Sequence, residues 1–77
     1  MSVEKDLARM KQNPKGVRFT ELERVILRSG FRRVNARGSH HVYKRGKRIL
    51  TVVKPHGGHK QCHWFDVKDT IRILEED

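Results

Sequence analysis

Between Arg24 and Phe65 the chain carries no acidic residue, although both of its ends are well supplied with them. Eleven Lys and Arg stand unopposed in that stretch, against five bases and four acids before it and two bases and five acids after it, for a formal net charge of +9. A field of one sign attracts a polyanion, so nucleic acid is the expected partner. Cysteine is nearly absent: Cys62 stands alone, which excludes an internal disulfide and fits a reducing, cytoplasmic setting. There is no long apolar run, and Met1–Met10 is interrupted by Glu4, Lys5, Asp6 and Arg9, so neither a membrane span nor a signal peptide is expected. No segment joins a basic face to a strongly apolar one, which argues against a membrane-surface role as well. Hydrophobic residues are also scarce, at 35% with a mean hydropathy of −0.79 over 77 residues. A single domain of this size buries only about 60% of the surface that its unfolded chain exposes. Its thin core leaves little room for a deep small-molecule pocket, so a large substrate on an open surface is expected.

The elements can be read from periodicity and punctuation. Residues 3–12 can form a short helix, with Leu7 and Met10 spaced three apart, and Asn13-Pro14-Lys15-Gly16 breaks it. Residues 1–14 are thus an N-terminal extension to a domain over 15–77. Thr20-Glu21-Leu22-Glu23 has the form of a capping box, and predicts a helix over 20–29 with Phe19, Leu22, Val25 and Ile26 as its apolar stripe. Arg28 suits the last turn and Gly30 the position beyond it. Three strands are expected next, over Phe31–Ala36, Ser39–Lys44 and Arg48–Lys54, with turns at Arg37-Gly38 and Arg45-Gly46-Lys47. Pro55 ends the third. A last helix over 67–75, capped by Asp66, carries Val67, Ile71 and Leu74 on one stripe and leaves Ile73 off it. The expected class is α+β, with two helices on one face of a three-stranded antiparallel sheet and the other face open.

The candidate chemistry lies in Gly38-Ser39-His40-His41-Val42-Tyr43. Imidazole has the unperturbed pKa nearest neutrality, so it can take and give a proton at physiological pH. Alternation places His40 and His41 on opposite faces of their strand. If Val42 marks the buried face, His41 looks outward; if Tyr43 is buried instead, His40 does. RNA cleavage needs no metal when the 2′-hydroxyl is the nucleophile: a base removes its proton, and cations stabilise the charge of the five-coordinate phosphorus. Lys44, Arg45, Lys47 and Arg48 flank the hairpin tip and, with Lys54 and His56, are candidates for phosphate contact. An ordinary solvated turn would look the same, as would a hydrogen-bonded structural histidine.

His56, His59, Cys62 and His63 are of ligating type, but their spacing matches no recognised zinc pattern; no metal and no cofactor are expected. Tyr43, Trp64 and Phe65 are candidates for stacking on bases. Trp64 and Phe65 also directly precede a helix, which favours a core role for at least one of them.

Lys15-Gly16-Val17-Arg18-Phe19 leading into Leu22, then Gly30-Phe31, the Gly-Ser-His-His segment, a β-hairpin and Pro55-His56 together resemble the HicA (YcfA-like) toxin family, over about Lys15–Glu75. The resemblance implies a fold like the double-stranded RNA-binding domain, α-β-β-β-α. It implies a messenger-RNA interferase, an endoribonuclease that blocks translation, and a HicB-type antitoxin that covers the active surface. It implies that the functional histidine is His40 or its neighbour His41. The connector from Gly57 to Trp64 and the first fourteen residues depart from the family pattern. A non-catalytic RNA-binding module of the same fold is the alternative, since the basic face needs no histidine.

Overall fold

The computed structural model describes residues 3–56 and 61–76. Three helices and three strands follow one another as α1 (Val3–Gln12), α2 (Phe19–Arg28), β1 (Arg32–Arg37), β2 (His40–Arg45), β3 (Arg48–Val53) and α3 (Trp64–Glu75), with a single 3-10 turn at Pro14–Gly16. The strands form one antiparallel sheet in the order β1-β2-β3. α2 and α3 cover one of its faces, α2 against β1 and α3 against β3, as expected of this α+β class.

Each helix is cut out by a small set of residues. α2 buries Phe19, Leu22, Val25 and Ile26 on the expected stripe. Its start differs from the expected capping box. Arg18 is the N-cap and makes no side-chain cap bond, because Phe19 joins the helix to reach the core. Thr20 is thereby carried two positions past the cap, and Glu23 is drawn to Tyr43 instead. At the other end the Phe31 N–H bonds to the Ile26 carbonyl and the Gly30 N–H to the Leu27 carbonyl, the paired bonds of a Schellman motif. This turns Phe31 into the core, so β1 begins at Arg32, one residue later than the pattern suggests.

α3 also starts earlier than expected, at Trp64. His63 is its N-cap, with Nδ1 accepting from the Phe65 N–H, and Asp66 lies inside the first turn. Freed from capping, Asp66 Oδ2 accepts the Val53 N–H at 3.0 Å and fastens the start of α3 to β3. α1 packs against α2 and α3 through Leu7 and Met10, the latter only 1% exposed. Ion pairs Arg9–Glu21 at 2.6 Å and Lys11–Glu75 hold its outer side. The helical layer is therefore three helices deep in sequence, with α1 resting on the two that meet the sheet.

β1 is one of the two edge strands, and all six of its residues are exposed. A bulge falls between Arg33 and Asn35, and Arg32, Arg33 and Arg37 line the strand. Bulges and charges are both ways of making a sheet edge a poor template for further pairing.

Candidate functional site

Two-residue loops close both hairpins, pairing Arg37 with His40 and Arg45 with Arg48. Gly38 and Gly46 open these loops at φ of 56° and 58°, a region that costs other residues strain and that tight hairpins require. With so short a turn the register has no slack, and the register decides which histidine faces water. Tyr43 pairs with Leu50 and His41 with Val52, and all four side chains turn toward the helices. His40 pairs with Val53, Val42 with Thr51 and Lys44 with Ile49, and these lie on the opposite, uncovered face.

His40 is exposed. His41 is buried, at 7% exposure, edge-on to Phe19 at 5.1 Å between ring centroids and stacked on Tyr43 at 6.5 Å. Its Nδ1 meets no hydrogen-bond partner among the described residues. Tyr43 is fully buried as well, so it is no stacking platform for a base. Its hydroxyl donates to Glu23 Oε2 at 2.5 Å, and the Arg33 guanidinium stands 3.9 Å from the same oxygen. Burial, and then the Glu23 carboxylate, hold its phenol well above the usual tyrosine range.

The cations divide in the same way. Lys44 and Lys47 are exposed, Lys44 on the open face and Lys47 at the hairpin tip. Arg45 turns to the helical side, 4.8 Å over the Phe31 ring, and donates to the Ser29 carbonyl at 2.5 Å, closing the end of α2. Arg48 pairs with Glu76 at 3.1 Å and holds its carboxyl below the usual range, chiefly through that hydrogen bond. Lys54 lies at the His40 end of the sheet, where its N–H bonds to the Ser39 carbonyl at 2.7 Å and its Nζ sits 5.7 Å from the Phe19 ring. His56 is exposed beyond Pro55.

Arg37 is a residue that sequence reasoning missed. It stands directly opposite His40 across the β1–β2 ladder, and both are exposed on the same face. The signal was present in the Gly38-Ser39 pair: a two-residue turn necessarily sets its two flanking residues side by side.

Of the ligating-type loop, His59 lies outside the described residues. Among the described residues no group of three His, Cys, Asp or Glu is arranged to hold a metal ion. Cys62 is buried, and its N–H bonds to the Val17 carbonyl. Burial, then the charges of Asp66 and Glu21, push its thiol up to about 12, so it offers no thiolate at neutral pH. Trp64 is half-buried, whereas Phe65 is 56% exposed with the His63 ring nearly parallel to it.

An exposed histidine thus stands opposite an exposed arginine on the uncovered face of the sheet. A family model described as the HicA toxin of bacterial toxin-antitoxin matches residues 19–62, more than half of the chain. The chain belongs to the HicA toxin family. The match runs from the first residue of α2, through all three strands and both candidate histidines, to Cys62. No curated protein and no solved structure matches the chain. HicA membership makes the protein a toxin of a toxin-antitoxin pair, with an antitoxin partner and an RNA target. Among the described residues no helix is long and apolar enough to cross a membrane.

Proposed function

We propose that the protein is a metal-independent endoribonuclease, an mRNA interferase that cuts messenger RNA in the cytoplasm and so blocks translation, with His40 as its general acid/base. The observation that carries this reading is the exposed His40 imidazole set beside Arg37 on the face that no helix covers. His40 takes the proton of a ribose 2′-hydroxyl, and the 2′-oxygen attacks the adjacent phosphorus. The bond from phosphorus to the 5′-oxygen then breaks, the leaving oxygen takes a proton, and a 2′,3′-cyclic phosphate remains. Arg37 stabilises the extra charge on the phosphoryl oxygens, and Lys54, at the same end of the sheet, holds a phosphate beyond the cut linkage. Lys44 and Lys47 hold phosphates farther along, and His56 adds a contact near Lys54. His41 serves the fold, as do Arg45 and Arg48, whose guanidinium groups are engaged with Ser29, Phe31 and Glu76. An imidazole acting alone typically contributes about 10²–10⁴-fold, and the cations supply further stabilisation. An antitoxin of the HicB kind covers the open face and silences it.

The test is an RNA cleavage assay, with chelator present, on wild type and His40→Ala. Wild type should yield 2′,3′-cyclic phosphate ends, a 2′-deoxy substitution at the cut should block the reaction, and His40→Ala should lose at least about a hundredfold in rate. If His40→Ala cuts as fast as wild type, the assignment is wrong. Salt-sensitive binding of RNA that stays whole would instead identify a non-catalytic RNA-binding module.

A further inference from the structure

We propose that the groove where β3 meets the start of α3 is a base-stacking subsite, which takes one nucleobase of the RNA next to the linkage at His40. The proposal rests on the ribonuclease reading and assigns a further part of the same surface. The groove measures about 390 Å³ and is lined by Val53, Pro55, Gln61, His63, Phe65 and Asp66. Of the chain's five Phe, Trp and Tyr, Phe65 alone is widely exposed. It belongs to a stack that is already assembled: the His63 ring lies 5.0 Å away at 8° to it, and the Trp64 ring 3.9 Å away at 29°. Rings ordered in advance lose little freedom when a base joins them, and every base has a face that can stack. His63 is held by its own cap bond, in which Nδ1 accepts from the Phe65 N–H at 3.4 Å, and this leaves Nε2 for the edge of a base.

Position ties the groove to the reaction. Val53, one of its walls, is the residue paired with His40 across the β2–β3 ladder. Adjacent strands lie about 4.8 Å apart, which sets the Val53 wall of the groove one strand from His40. The groove also favours a base over a phosphate. Its carboxylate, Asp66, accepts the Val53 N–H and already supplies the negative charge that the first turn of α3 favours, so a second anion is repelled there and a neutral ring is not. Lys68 Nζ lies 5.4 Å over the Trp64 ring, and Lys54 stands between the wall residues Val53 and Pro55. Val53, Pro55 and Gln61 lie within the family-matched segment, and His63, Phe65 and Asp66 follow its end at residue 62.

The test compares wild type, Phe65→Ala and Phe65→Tyr, each first checked for an unchanged melting temperature. A 2′-O-methyl RNA oligomer, which cannot be cut by the 2′-oxygen, is titrated against each protein while the emission of Trp64, the sole tryptophan, is followed. Cleavage of ordinary RNA is measured in parallel. Wild-type binding should change the Trp64 emission. Phe65→Ala should bind roughly tenfold or more weakly and raise KM while kcat holds, and Phe65→Tyr should restore both. Removing one base from the oligomer should weaken binding to wild type and cost nothing further in Phe65→Ala. Equal affinity of Phe65→Ala and wild type, or an equal abasic penalty in both, overturns the subsite. Unchanged RNA binding with lost association to a co-expressed antitoxin also overturns it, by making the groove a protein interface. The two readings fail separately. If wild type cuts RNA and Phe65→Ala leaves KM unchanged, the subsite falls and the ribonuclease stands. If wild type binds RNA without cutting it and Phe65→Ala loses that binding, the stacking groove stands and the ribonuclease falls.

Discussion

A single peptide unit separates His40, open to water, from His41, which lies against Phe19 and Tyr43. His41 acts there as a ring that fills space, and its unpartnered Nδ1 is a cost that an apolar side chain would avoid. We therefore expect His41→Leu to keep cleavage and to change stability by less than about 1.5 kcal/mol, as read from urea melts and the RNA assay. Loss of cleavage by a folded His41→Leu protein would move the proton transfer to the wrong side of the sheet. Tyr43 and Cys62 make a second prediction. Both are favoured in their protonated forms on folding, the phenol raised from an ordinary 10.0 and the thiol from 9.0 to about 12. A group with a raised folded pKa contributes stability in full below its unfolded pKa and loses it as pH rises toward the folded one. The melting temperature should thus fall between pH 9 and 12, and Cys62→Ala should flatten the first part of that fall. The choice between the two histidines was not open to a reader of β2 alone. Val42 and Tyr43 are each fit for a core, and the answer came from β3, where Leu50 and Val52 face inward while Thr51, the one polar residue among them, shares the outer face with Val42.

At the scale of the elements, the hairpin that presents His40 depends on Gly38. A Cβ built there meets nothing within 4 Å, so the cost of a side chain is that of backbone conformation alone. Gly38→Val should destabilise the fold by about 1–2 kcal/mol and lower kcat by displacing His40 from Arg37, measured by thermal melts and steady-state cleavage. An unchanged kcat would show that the pairing of these two residues is irrelevant to catalysis. Helices and strands were legible because their periods of 3.6 and 2 are strong in Leu22–Ile26 and Arg48–Val53. The starts of α2 and α3 were not, since each was decided by a distant partner, whereas α1 runs over the expected 3–12 and α3 ends at the expected Glu75. Thr20 lost its capping role when Phe19 was taken into the core, and Asp66 lost its own to the Val53 amide across the groove.

For the molecule as a whole, the excess of positive charge should appear as a steep dependence of RNA binding on salt. Each phosphate neutralised on a single strand contributes about −0.7 to the slope of log K against log salt. Lys44→Ala and Lys54→Ala should each make the slope shallower by about that much, and Arg48→Ala should leave it unchanged because its guanidinium serves Glu76. Equal shifts for all three would mean that RNA senses only net charge. The acid-free stretch foretold this surface, and α-β-β-β-α could be read from the chain; the seating of α1 could not, because it rests on two apolar residues and on ion pairs to Glu21 and Glu75 from other helices. The bulged, arginine-lined margin of β1 has a consequence for how copies behave in a crowd. Guanidinium groups at Arg32, Arg33 and Arg37 make this edge a poor template for the same strand of a second copy. A bound polyanion that neutralised those charges would weaken the repulsion between copies lying side by side on one strand.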